Sequence, residues 1–149
     1  MQLPRFVRRL VIPAQVRRSL DQQVQREHPT EAGGYLDCRR AGNRLVATGH
    51  VPVDNDAADP TRRFETTVDE RAPAFPRVFY HSHTSAASPA GMTNVDRKRI
   101  PEQHSLVLFA PDSEVYSYRC FKRGLARWHE LPVCGQRLDA TTYPLPRLR

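Results

Sequence analysis

The chain has 149 residues and a net charge of +7 carried almost wholly by arginine, Lys98 and Lys122 being its lysines. That length suits one domain able to bury roughly 70% of its unfolded surface, and no stretch approaches the ~20 apolar residues of a membrane helix. The opening MQLPRFVRRLVIP has a broken apolar run and no small-residue cleavage site, which argues against a signal peptide. Cys38, Cys120 and Cys134 form no C-x-x-C pair and cannot all be paired. Free thiols in a reducing compartment, and so a cytoplasmic location, are expected.

Phe6 to Ile12 reads as a short strand, and Pro13 stands where its fixed φ suits a first helical turn. Val16, Leu20 and Val24 follow at helical spacing, predicting a helix over 13–27 that His28-Pro29 closes. Strands are expected at Ala32–Arg39 and Arg44–Val53, joined by the turn residues Ala41-Gly42-Asn43. Asp54 to Arg63 is a polar loop, and Phe64–Val68 reads as a β-branched strand. Arg77–His83, bounded by Pro76, is a further strand. The small polar residues 84–92 form a loop, and Thr93 to about Gln103 a short helix. Ser105–Ala110 and Val115–Arg123 read as a hairpin, with Ala126–Leu131 as an edge strand. From Pro132 to Arg149 the chain lacks periodicity, so it is expected to drape over the surface or be partly disordered. With no repeat and no composition break, residues 1–149 read as a single mixed α/β domain. A central sheet is flanked by a long N-terminal helix and a shorter one after the His-x-His strand.

The chemistry concentrates at His81-Ser82-His83. On a strand, side chains at i and i+2 share a face, so both imidazoles can reach one ion. The preceding Val78, Phe79 and Tyr80 bury the strand, and the small-residue loop after it leaves an ion accessible. Asp96, in the first turn of the next helix, is a candidate third ligand. It also stands at the third helical position of a capping box begun by Thr93. Two histidines, an aspartate and a water make an open three-ligand arrangement, which needs a carboxylate to take the water's proton. Glu31 is the candidate, in Thr30-Glu31-Ala32-Gly33-Gly34, where paired glycines allow close backbone approach; an exposed glutamate at a strand start is the bland alternative.

The set Glu31-x-x-Gly34, His81-x-His83, Thr93-x-x-Asp96 resembles the JAMM motif of the MPN-domain (JAB/Mov34) metalloproteases, and the resemblance extends over most of the chain. It implies an MPN/JAB-like domain with Zn2+ held by His81, His83 and Asp96, Glu31 as general base, and Thr93 where a serine supports the oxyanion. It also implies a peptidase or isopeptidase acting after the C-terminal glycine of a ubiquitin-like protein, by processing or deconjugation. Partners would be the ubiquitin-like protein or its conjugate, through an extended tail, and proteins of the conjugation pathway. The chain departs from the pattern at Thr84, where proline is usual, at Thr93, and in a longer loop between His83 and Thr93. It is too short for the large insertions of eukaryotic deubiquitinases and looks like a compact prokaryotic member. The other readings are a non-catalytic MPN scaffold, or a JAMM hydrolase acting on small amino-acid or other peptide substrates. The scaffold is disfavoured because all the motif residues are kept. Nucleic acid is disfavoured because aromatics are not interleaved with the arginines, and no membrane partner is expected. A substrate tail is expected to add to a sheet edge near Phe64–Val68, with Arg62 and Arg63 facing an acidic partner surface. His28, His50, His104 and His129 lack ligand spacing to one another. Ser82 is expected to point away from the histidine face, and a serine-hydrolase elbow is absent.

Overall fold

The computed structural model describes residues 6–67 and 70–149. Nine strands form one mixed sheet in the order β7-β6-β5-β4-β2-β3-β1-β8-β9. Strand β1 (Arg9–Pro13) leads into helix α1 (Ala14–Glu27), followed by the hairpin β2 (Gly33–Ala41) and β3 (Arg44–Val53). Then come β4 (Arg77–His83), the short helix α2 (Asn94–Arg99), β5 (His104–Phe109), β6 (Ser117–Arg123) and β7 (Trp128–Leu131). Two more strands, β8 (Val133–Gln136) and β9 (Thr142–Pro144), close the chain.

The apolar stripe Val16, Leu20 and Val24 buries α1 against one face of the sheet, among Leu10, Ile12, Leu36, Tyr80, Leu106 and Leu108. The opposite face carries a smaller cluster of Tyr35, Val53, Phe79, Met92, Ile100, Val107 and Phe121. Strand alternation on β4 therefore sends Val78, Tyr80 and Ser82 toward α1, and Phe79, His81 and His83 to the other side. The sheet curls until its far strands meet. The amide of Tyr118 on β6 donates to Pro146 (2.9 Å), and Arg17 and Asp21 of α1 both bond the Tyr118 hydroxyl. Glu130 of β7 is held by Arg119 and, from the C-terminal segment, by Arg147. No helix of the described residues is long and apolar enough to cross a membrane.

Three expectations change. The segment 132–149 neither drapes nor loosens. Val133–Gln136 pairs in parallel with β1, and Thr142–Pro144 pairs antiparallel with β8. This pairing bonds positions about the whole chain apart, which no local periodicity can encode, and Gly135 makes it possible because any Cβ there would press on the Tyr143 ring. Residues 64–67 are not a strand, and Val68 lies outside the described residues. Phe64 turns inward onto Phe79 and His81, and the Asn55 side chain accepts from the Glu65 amide, so this backbone offers no edge. Helix α2 ends at Arg99, short of Gln103, because Pro101 forces Ile100 to an extended ψ of 115°.

Candidate metal and catalytic site

Strand β4 sets the frame. It pairs antiparallel with β2, Gly33 opposite His81, and the register continues one step beyond β2. The Ser82 amide donates to the Ala32 carbonyl, and the Ala32 amide donates to the Ser82 hydroxyl, both at 2.8 Å. Glu31 is thereby carried to the level of His83. On the other side of β4 the parallel strand β5 seals the frame, with His81 against Val107 and His83 against Phe109.

The glycines after Glu31 make the close approach possible. A Cβ on Gly33 would collide with the Phe64 ring, and one on Gly34 with the Val51 carbonyl and the Tyr80 hydroxyl. That hydroxyl donates to Gln23 Oε1 (2.6 Å), while Gln23 Nε2 donates to the Gly33 carbonyl (3.1 Å). A buried polar chain from α1 thus fixes the start of β2.

The two imidazoles converge. His81 Nε2 lies 3.1 Å from His83 Nε2, and the Asp96 carboxylate lies 3.3 Å from the first and 3.2 Å from the second. Pro89 has only a carbonyl to offer His83 Nδ1 (2.7 Å), so Nδ1 carries a proton toward it and Nε2 faces inward. Two imidazole nitrogens and a carboxylate converging at these distances form a donor set for a cation. Atoms ligating a tetrahedral zinc at 2.0–2.1 Å lie about 3.3 Å apart, close to the spacings found. The donor set therefore fits the metal that the motif implies. Glu31, His81 and His83 also offer ligand atoms that all lie within 4.8 Å of one another.

Asp96 is placed by the cap at the start of α2. Thr93 Oγ accepts from the Asp96 amide (3.0 Å), and Asp96 Oδ2 accepts from the Thr93 amide (2.9 Å). The capping-box reading of Thr93-x-x-Asp96 holds, and the box aims the carboxylate at the histidines. Thr93 spends a lone pair on the cap and keeps its hydroxyl proton to donate.

Electrostatics separate the four groups. Burial raises the Glu31 carboxyl to about 7, with Asp96 and Asp59 adding to the rise and His83 opposing it. Burial resists ionisation of Asp96, but hydrogen bonds from His81, His83 and the Thr93 backbone overcome it and hold the carboxyl far below its usual range. Burial also depresses His81. On His83 the same burial is outweighed by Asp96 and the Pro89 carbonyl, so its imidazole is raised.

The loop over the site was legible only as polar sequence. Asn55 organises it: its amide nitrogen donates to the carbonyls of Glu31 (3.1 Å), Pro60 (3.1 Å) and Arg63 (2.8 Å). Thr84, which follows His83 directly, donates to the Pro29 (2.8 Å) and Thr61 (3.1 Å) carbonyls and ties this loop to the end of β4. Nothing in a linear reading signals these bonds, because the partners are distant backbone carbonyls. Ser82 points away from the histidine face, as strand alternation predicts, and its hydroxyl accepts from an amide fifty residues away. The result is a cavity of about 250 Å3 lined by Glu31, His83, Thr93, Asp96, Arg63 and Phe64, among others.

No family model matches the chain. Relatives with curated names are CysO-cysteine peptidases of Mycobacterium tuberculosis (strain ATCC 25618 / H37Rv) and Mycobacterium bovis. Each is 27% identical over 121 residues, which span 76% of this chain and 82% of the relative. Among solved structures, the solution structure of protein DSY2949 from Desulfitobacterium hafniense superposes with a TM-score of 0.63 at 16% identity, covering 86% of this chain and 93% of that one. The second likeness is one of fold. The peptidase names of the first agree with the JAMM resemblance carried by the motif.

Proposed function

With that JAMM resemblance as premise, we propose that the chain is a zinc-dependent peptidase or isopeptidase acting at the C-terminal glycine of a ubiquitin-like protein. The curled sheet with α1 on one face and α2 on the other is then an MPN/JAB-like domain. The observation that carries the reading is the meeting of His81, His83 and Asp96 beside a buried Glu31. His81, His83 and Asp96 would hold the metal, and Glu31 is left off that set as the base.

A divalent ion held there supplies Lewis acidity toward a water and a scissile carbonyl. Glu31, a buried carboxylate beside the ligand set, stands where it can accept a proton from water and hand it on to the leaving amine. Asp96 stays ionised throughout, because its carboxyl is held so low. Thr93 presents its free hydroxyl proton in the same cavity, where it can donate to the developing oxyanion. The 84–92 loop closes over His83 through the Pro89 carbonyl and narrows the approach, which favours glycines in an extended tail. The partner is a ubiquitin-like protein or its conjugate.

A second reading of the substrate is favoured by the relatives' names. Those proteins are named as peptidases of a CysO-cysteine substrate, which favours a leaving group of one amino acid here. The experiment is common to both readings. Metal-loaded protein is incubated with a ubiquitin-like protein extended beyond its terminal Gly-Gly, either by one residue or by a longer fusion, and the product is mapped by mass spectrometry. Cleavage directly after glycine, lost by orders of magnitude in Glu31→Gln with the metal retained, is expected. Cleavage at internal non-glycine bonds, or full activity in Glu31→Gln, would sink the proposal.

A further inference from the structure

Beside Glu31 the cavity holds cations that the hydrolytic chemistry does not use. Arg62, Arg63 and Arg99 all line it. Arg62 faces Asp59 (3.8 Å) and Arg99 faces Glu65 (3.5 Å). Arg63 forms no ion pair among the described residues, although its backbone is firmly held. Its amide donates to the Asp59 carbonyl (3.0 Å) and its carbonyl accepts from Asn55 (2.8 Å). The chain thus anchors an unspent guanidinium at the rim of the cavity, with an exposed side chain free to turn inward.

Which end of a substrate would meet it follows from Glu31. A base that passes its proton to the leaving amine must lie next to that nitrogen, so the leaving group sits on the Glu31 side of the cavity. The segment containing Arg63 is bonded to Glu31 itself: the Glu31 amide donates to the Pro60 carbonyl (2.8 Å), and Asn55 bridges the Glu31 and Arg63 carbonyls. The cavity, about 250 Å3, is smaller than the roughly 300–1,000 Å3 of sites that take drug-sized ligands. One amino acid fits such a space. A guanidinium matches a carboxylate in charge and in its forked geometry.

We propose that Arg63 binds the free α-carboxylate of a one-residue leaving group, and so selects between the two substrate readings above. The proposal rests on the peptidase reading above and names the leaving group for the same site. In the reaction the amide C–N bond breaks, the oxygen of water joins the acyl carbon, and the products are the tail's carboxylate and the amino acid's ammonium. No oxidant or further reactant is needed.

The test compares acetyl-Gly-Gly-Ala with its C-terminal amide, using metal-loaded wild type, Arg63→Gln and Arg63→Lys. Wild type is expected to prefer the acid in kcat/KM by about tenfold or more, as a charge-assisted pair implies. Arg63→Gln should bring that preference toward one with metal content unaltered, and Arg63→Lys should restore part of it. Calorimetric titration of Glu31→Gln with the acid and the amide gives the same comparison without turnover, the acid binding more tightly. Equal handling of acid and amide by wild type, or a preference that survives Arg63→Gln, overturns the carboxylate role and leaves the peptidase standing. Hydrolysis of neither, here and on the longer tails above, removes both.

Discussion

Ser82 and Ala32 bond each other twice, amide to carbonyl and amide to hydroxyl, both at 2.8 Å. The pair lies between Glu31 and the histidines and on the face opposite them, so it fixes the level of the carboxylate relative to His83 without entering the cavity. Ser82→Ala removes the acceptor of the Ala32 amide in a fully buried setting. The expected cost is about 1–3 kcal/mol of stability, seen as a lower urea midpoint. Metal content should persist, because no ligand is touched. An unchanged midpoint would show that the pairing does not hold this strand end.

Asp96→Ala tests the third ligand and the cap together. It takes away both the carboxylate facing the histidines and the acceptor of the Thr93 amide. Metal retained after purification, read by plasma emission against about one equivalent in wild type, should fall sharply. The start of α2 should loosen by about 1 kcal/mol, as lost caps do. Full metal content in the variant would mean that Asp96 is not a ligand.

Gly34→Ala probes the closeness of β2 to its neighbours. A methyl there meets the Val51 carbonyl and, at 2.7 Å, the Tyr80 hydroxyl that serves Gln23. Both are fixed parts of the frame, so the substitution is expected to destabilise by about 1–3 kcal/mol through overpacking. Thermal unfolding of the metal-free variant would register it apart from any loss of metal. A wild-type melting temperature would contradict the packing described.

His104 sets a pH dependence away from the site. Burial, helped by Lys122 and Arg40, lowers its imidazole to about 4 from 6.5, and its Nε2 is buried without a partner. Above pH 6.5 the ring is neutral in folded and unfolded chains and costs nothing. As pH falls from 6.5 to 4, the unfolded chain takes up a proton that the folded one refuses, so stability drops by about 1.4 kcal/mol per unit. His104→Leu should flatten this part of the stability profile in denaturant titrations at stepped pH. A profile of unchanged slope would show that His104 is protonated in the folded protein.

Much of the site could be read from the chain alone, because its signals are local. The i, i+2 spacing puts His81 and His83 on one strand face wherever that strand packs. Thr93-x-x-Asp96 makes a helix cap from residues within one turn, and Val16, Leu20 and Val24 mark the buried face of α1 by their spacing. Strands β3 and β4 fall where alternation and flanking turn residues place them.

Tertiary structure decided what depends on partners remote in sequence. That Glu31 reaches His83 follows from the β2–β4 register and the Ser82–Ala32 bonds, which join segments some fifty residues apart. The raised Glu31 carboxyl follows from burial beneath a loop that Asn55 and Thr84 tie down through distant carbonyls. Phe64 leaves the expected strand and lays its ring against Gly33, Phe79 and His81, neighbours that its local sequence does not signal. The C-terminal strands exist only because β1, at the other end of the chain, leaves an edge for Val133–Gln136 to fill. A sequence states its preferences over a few residues, and hydrogen-bonding edges and buried faces then choose among them once the chain has folded back on itself.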